Sequence, residues 1–246
     1  MSNIRFKFLR GEEVKFISHL DLMKVFERAL RRSRIPIAYS QGFNPHPQMV
    51  FGLPLSVGVT SEAEYADFEM SRDYETDEFA AVLNSQLPAG LKIVEAKLKN
   101  NKRNIMASII MAAYDILIYS KEVEEQAEME RRLAEFCDRQ EIVVKKEGKN
   151  GSKDVDIKPM IRKIGLKRIN SEDVAVRKGL SEPERIFCIS ALLSAGSAAN
   201  LKPELLVAAL NGAGFEISSI GINRTGLFVE SNGEIIDPLD DNALSG

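Results

Sequence analysis

The chain has no tryptophan, two cysteines and two histidines in 246 residues. Cys137 and Cys188 lie far apart inside apolar-periodic segments. A disulfide framework, a zinc site or an iron–sulfur cluster needs several thiols at short spacing, so this pair excludes all three and reads as two buried structural thiols. His19 and His46 are too few for a histidine-rich metal site. No segment approaches the roughly 18 uninterrupted apolar residues of a membrane-spanning helix. The N-terminus alternates charged and apolar side chains and lacks a signal peptide's apolar centre. A phosphate-cradling Gly-x-x-x-x-Gly-Lys, a dinucleotide fingerprint and a nucleophile elbow are also missing. These absences predict a cytoplasmic protein with no membrane association and no cofactor of its own, one that binds a partner and does not carry out chemistry.

Hydrophobic residues make up 44% and charged residues 28%, ordinary values for a chain that buries a core. Net charge is −3 but uneven: residues 1–60 hold nine Lys and Arg against four acids, a local +5, which leaves −8 for the remainder. Such asymmetry points to an anionic partner at the N-terminal end.

Arg5–Leu9 alternates as a strand, with Phe6 and Phe8 on one face. Ser18 is placed to cap a helix running to about Ser33, with Leu22, Met23, Phe26 and Leu30 on its buried side and Pro36 beyond its end. Strands are expected at Ile37–Ser40, Met49–Leu53, Tyr65–Met70 and Leu91–Leu98, and a helix at Asp77–Leu87. The order strand, helix, strand, strand, helix, strand is ferredoxin-like. A second α+β set follows: strand Ala113–Tyr119, helix Glu122–Asp138, strands at Glu141–Lys145 and Val155–Ile161, strand Ile186–Leu193, helix Leu201–Leu210, and strands near Phe215–Ile222 and Leu227–Glu230. The expected fold is α+β, two ferredoxin-like α/β-sandwich halves with antiparallel sheets. The domains fall at 1–100 and 105–232, with a mobile linker at Lys146–Lys153 and a flexible tail at 233–246.

On the first helix Lys24, Arg28, Arg31 and Arg32 fall at i, i+4, i+7 and i+8, one cationic stripe beside the apolar face, with Arg34 at the end. Cations near a helix C-terminus also suit its dipole. A stripe this long equally suits a row of phosphates. The following loop, Gln41–Pro47, is flanked by Tyr39 and holds Gln41, Phe43, Asn44 and His46 between two prolines. Aromatic rings stack on unpaired bases, and amides and imidazole hydrogen-bond base edges; the alternative is that Tyr39 and Phe43 are core and the prolines stiffen a turn. His19 and His46 are the weak catalytic candidates, able to act as a general acid–base pair if their rings approach each other.

The run from Phe16 to Met70 resembles the radical SAM-linked protein family of bacteria. The resemblance rests on SHLDLM (Ser18–Met23), the basic ERALRRS helix, AYSQGFNPHP (Ala38–Pro47), PLSVG (Pro54–Gly58) and EYADFEM (Glu64–Met70). Members of that family are encoded beside, or fused to, a B12-binding-type radical SAM protein. The resemblance therefore implies a radical SAM enzyme as partner in a separate chain, itself using an iron–sulfur cluster, S-adenosylmethionine and B12. It implies no catalytic residue here.

Together these readings predict a non-catalytic accessory protein that binds RNA, tRNA or rRNA, and partners a radical SAM enzyme; nothing implies DNA specifically. Lys24, Arg28, Arg31 and Arg32 would neutralise phosphates, and Tyr39, Gln41, Asn44 and His46 would contact the nucleotide. The alternatives are a metal-independent endoribonuclease using His19 or His46 and a pure protein–protein adaptor.

Overall fold

Ile4, Phe6 and Phe8 alternate with Arg5 and Lys7, and the period of two sets them on one face of strand β1 (Asn3–Arg10). In the computed structural model, which describes residues 2–123, 125–148 and 151–245, β1 opens the first of two units. That unit comprises Met1–Met111 and Arg224–Gly246; the second comprises Ala112–Asn223.

In the first unit β1 is followed by α1 (His19–Ser33), β2 (Met49–Phe51), β3 (Thr60–Glu69), α2 (Thr76–Asn84), β4 (Leu91–Lys99) and a single turn, α3 (Ile105–Ser108). The sheet runs β4–β1–β3–β2 with every pair antiparallel, which is the ferredoxin-like order. α1 starts where the Ser18 hydroxyl accepts the Asp21 N–H at 3.1 Å. It stops at Arg34, whose left-handed φ of 56° turns the chain away two residues before Pro36. Leu22, Phe26, Ala29 and Leu30 face the sheet. Six phenylalanines, at positions 6, 8, 26, 51, 68 and 79, interlock there with edge or tilted contacts between 4.8 and 6.1 Å.

The chain enters the second unit along β5 (Ile109–Ser120). It continues through α4 (Gln126–Cys137), β6 (Val143–Gly148), β7 (Gly151–Asp156), β8 (Ile161–Lys167), α5 (Ser171–Lys178), β9 (Ile186–Ser194), α6 (Pro203–Gly212) and β10 (Ile217–Ser231). The strand order β10–β5–β9–β8 repeats the ferredoxin-like plan. The β6–β7 hairpin is inserted after α4, and α5 is inserted between β8 and β9. β10 carries the chain back to the first unit, where β11 (Glu234–Ile236) and α7 (Asp241–Leu244) follow.

Several expected elements differ. Ile37–Ser40 makes only isolated bridges, Ile37 with Met70 and Tyr39 with Pro47, because three nearby prolines remove ladder donors. The two strands expected around residues 215–230 are one, β10: the polar Asn223–Arg224 that reads as a break is in place because Arg224 is buried against Glu64 at 2.9 Å. α5 emerges from what reads as a polar loop, capped by Asn170 and closed by Gly179 at φ 66°. The linker expected at Lys146–Lys153 belongs largely to the β6–β7 hairpin, registered from Val143 opposite Asp156 to Gly148 opposite Gly151; Lys149 and Asn150 lie outside the described residues. The tail expected to be flexible after Asn232 instead forms β11 and α7, with Leu239, Ala243 and Leu244 buried.

That C-terminal segment covers charges on the first unit's sheet. Arg5 grips Asp67 at 2.6 and 2.9 Å and also donates to the Pro238 carbonyl at 3.3 Å. The Tyr65 hydroxyl donates to Asp237 at 2.6 Å, and Lys97 donates to the Leu239 carbonyl at 2.9 Å. Short-range periodicity carries no trace of these C-terminal partners, which lie more than a hundred residues away in sequence.

Candidate nucleic-acid interface

The basic stripe of α1 is partly free. Arg28 and Arg31 are exposed and have no hydrogen-bond or ion-pair partner among the described residues. Lys24 is exposed and meets Asp21 at 3.5 Å, an i, i+3 pair too solvated to hold it. Arg32 is engaged: its Nε and Nη2 donate to the side chain and carbonyl of Gln86 at 3.2 and 2.5 Å, fastening α1 to the end of α2. The four cations expected on one open row thus divide into two free guanidinium groups, one loosely paired ammonium and one structural contact.

The loop after α1 is built from its base outward. Ala38 donates to the Glu69 carbonyl at 2.7 Å and accepts from the Gln48 N–H at 2.8 Å, so the end of β3 holds both feet. One step up, the Ser40 N–H donates to the His46 carbonyl at 2.8 Å, and the His46 N–H donates to the Ser40 hydroxyl at 3.0 Å. Tyr39 bridges Pro47. Beyond these clamps Gln41, Phe43, Asn44 and His46 are all exposed. Gly42 takes φ 130°, a conformation open to glycine and strained for other residues, and nothing lies within 4 Å of where a Cβ would sit. The core reading of Tyr39 and Phe43 fails: Tyr39 is 47% exposed and Phe43 stands wholly in solvent. The loop's feet and the C-terminal turn of α1 lie at the same end of the sheet, where Met70 donates to the Ser2 carbonyl at 2.9 Å and Ile37 bridges Met70.

The two histidines are not brought together. His19 begins α1, whose 15 residues span about 20 Å, and its ring meets Phe51 edge-on at 5.9 Å. His46 sits on the loop beyond the helix's other end. No hydrogen bond or ring contact joins them among the described residues, so the geometry does not assemble an acid–base pair from them.

His19 is instead tied to a buried cationic centre. Arg10, 1% exposed, donates to the carbonyls of Val14, Lys15 and Ile17, the turn that delivers the chain to Ser18. Glu64 lies beside it and binds Arg224, which also donates to the Leu53 and Pro54 carbonyls at 2.9 and 3.2 Å. Burial pushes the Glu64 carboxyl up, while Arg224 and Arg10 pull it back down. The signature segments around Ser18, Pro54 and Glu64 are therefore largely a scaffold, stitching the base of α1 to the 53–58 loop.

Burial, and then the positive charge of Arg10, lower the His19 imidazole from its ordinary value. The unfolded chain therefore takes up this proton first. As pH falls below about 6.5, stability is lost, and the loss stops growing once the folded imidazole also protonates. A His19→Gln protein is expected to show a flatter fall in thermal midpoint between pH 8 and pH 5 than the wild type. Parallel curves would show that His19 is titrating freely.

Phe43 stands among the loop groups that the sequence marks as able to stack on a base, but not in the set expected to contact the nucleotide. Its signal was present, a lone apolar ring among Gln, Gly, Asn and Pro. Phe16, Leu20 and Val57, also exposed, were likewise not singled out.

A family profile described as "Uncharacterized protein conserved in bacteria (DUF2344)" matches residues 3–203. No curated protein matches the chain. Among solved structures, one chain of a Cbf5-Nop10-Gar1 complex superposes with a TM-score of 0.52 at 11% identity, over 92% of this chain and 48% of that one. One from an H/ACA RNP bound to a substrate RNA containing 2'-deoxyuridine gives 0.46 at 10% identity, over 91% and 46%. The chain spans about half the length of these solved chains, and the likeness to the first is one of fold.

Proposed function

The chain belongs to this uncharacterised family conserved in bacteria, and from that premise we propose that it is a non-catalytic accessory protein that binds RNA at the C-terminal end of α1 and the loop beyond it. The observation that carries the reading is the pair of exposed guanidinium groups, Arg28 and Arg31, that have no partner among the described residues. An arginine with no internal partner is available for charge-assisted bonds to phosphate oxygens. The N-terminal excess of positive charge in an otherwise acidic chain supports an anionic ligand. Tyr39, Gln41, Asn44 and His46, all exposed on or beside the clamped loop, supply contacts to a nucleotide.

In this proposal the RNA is a tRNA or rRNA presented to a radical SAM enzyme in a separate chain, which brings its own cluster, S-adenosylmethionine and B12. That part rests on the resemblance carried by residues 16–70 alone.

The test is the salt dependence of binding. With Lys24, Arg28 and Arg31 on phosphates, log affinity against log salt should fall with a slope of about −2, from roughly −0.7 per contacted phosphate on a single strand. Filter binding or anisotropy with bulk tRNA between low and physiological salt measures it. A flat dependence, or no binding at low salt, removes the RNA reading. Copurification of a protein partner that survives nuclease would then favour an adaptor.

A further inference from the structure

We infer that Phe43 is a stacking platform for an unpaired base, so that the RNA taken at this surface is one that displays an unstacked nucleotide in a loop, bulge or end. The inference rests on the RNA reading above and narrows it to a substrate class.

Phe43 is 112% exposed, more than an isolated residue in an extended reference chain. Leaving a full aromatic ring in water forgoes the burial that places most phenylalanines inside. The ring is not simply on a loose segment. The loop beneath it is closed by the Ser40–His46 and Ala38–Gln48 bonds at 2.8 Å and by the Ser40 hydroxyl at 3.0 Å, and Pro45 and Pro47 stiffen its return. With the backbone held this way, only the side chain's own rotamers are left to be ordered when something stacks on the ring.

The surroundings choose the ligand. A protein-docking patch would be contiguous apolar surface, yet the ring's exposed neighbours on the loop are mostly polar: Gln41, Asn44 and His46, with Pro45 among them. The three polar side chains are hydrogen-bonding groups suited to the edges of a base whose face lies on the ring. The same end of the unit carries Arg31 for the flanking phosphate. Paired A-form RNA offers no free base face, because every base is stacked between neighbours. Only an unpaired nucleotide satisfies both the ring and the amides.

The experiment uses the full chain and two duplex RNAs, one blunt-ended and fully paired and the other identical but for a single added, bulged 2-aminopurine. The wild type is expected to bind the bulged RNA about tenfold more tightly and to quench the 2-aminopurine emission. Phe43→Ala should lose both the preference and the quenching with an unchanged thermal midpoint, since the ring packs on nothing; Phe43→Trp should keep them. Equal affinity for the two RNAs, or a preference that survives Phe43→Ala, overturns the inference. If both RNAs bind equally and Arg28→Glu weakens both, the RNA reading stands and the stacking role alone falls. If neither RNA binds at low salt, both fall together.

Discussion

Asp67→Ala is expected to destabilise the protein by about 3–5 kcal/mol. Asp67 receives two bonds from Arg5, lies 3.4 Å from the Lys99 ammonium and accepts the Ile105 N–H at 3.3 Å. Arg5 and Lys99 are 1% and 9% exposed. Removing the carboxylate leaves two cations out of water with no counter-charge and leaves a backbone donor unmet, each a cost that water cannot repair at that depth. Net stabilities run about 5–15 kcal/mol, so the variant should sit near the edge of folding at room temperature. A volume-matched apolar triple, Arg5→Met with Asp67→Leu and Lys99→Met, should recover most of the loss, because the charges are then absent instead of unpaired. Urea denaturation of the three proteins measures this. If Asp67→Ala costs less than about 1 kcal/mol, the site is wet and the network is not what holds the C-terminal segment down.

The contrast between these residues and the α1 stripe shows which parts of the molecule a sequence exposes. The Phe6/Phe8 alternation, the Ser18 cap and the βαββαβ order of residues 3–99 are local patterns, and each appears in the structure within a few residues of its expected place. What was hidden is long-range. Arg224 looks like a polar break until Glu64, 160 residues away, is seen to meet it. The segment after Asn232 looks like a tail until Arg5, Tyr65 and Lys97 are found bonded to it. Ile37–Ser40 has strand composition, but its donors are used at two bridges between prolines.

For the candidate site the same division holds. Helical spacing sets Lys24, Arg28, Arg31 and Arg32 on one stripe, but spacing cannot show that Gln86 occupies Arg32. Nor can it show that α1 separates His19 from the loop carrying His46. For Phe43 the sequence leaves a stacking ring and a core residue as alternatives; only the structure shows that the ring stands in solvent.

Arg28→Glu/Arg31→Glu is expected to weaken RNA binding by roughly 100-fold near 100 mM salt, taking about 1.5 kcal/mol for each charge-assisted bond removed. The salt slope should become shallower by roughly 0.7 for each phosphate that is no longer neutralised. A rival account gives these arginines a purely helical purpose, favourable charge near the C-terminal end of the α1 dipole. The two accounts separate cleanly. The dipole acts within the last turn, which holds Arg31 and Arg32 but not Arg28. It therefore predicts a stability loss of up to about 1 kcal/mol for Arg31→Glu, almost none for Arg28→Glu, and no change in binding from either. Phosphate contact predicts the reverse pattern: both single variants fold as well as or nearly as well as the wild type, and both bind worse. Arg32→Glu is the internal control, since its guanidinium is already committed to Gln86 and its removal should register mainly in the thermal midpoint. Binding that is insensitive to Arg28 and Arg31 while falling with Arg32 would mean that the free guanidinium groups are solvated surface and that the ligand lies elsewhere.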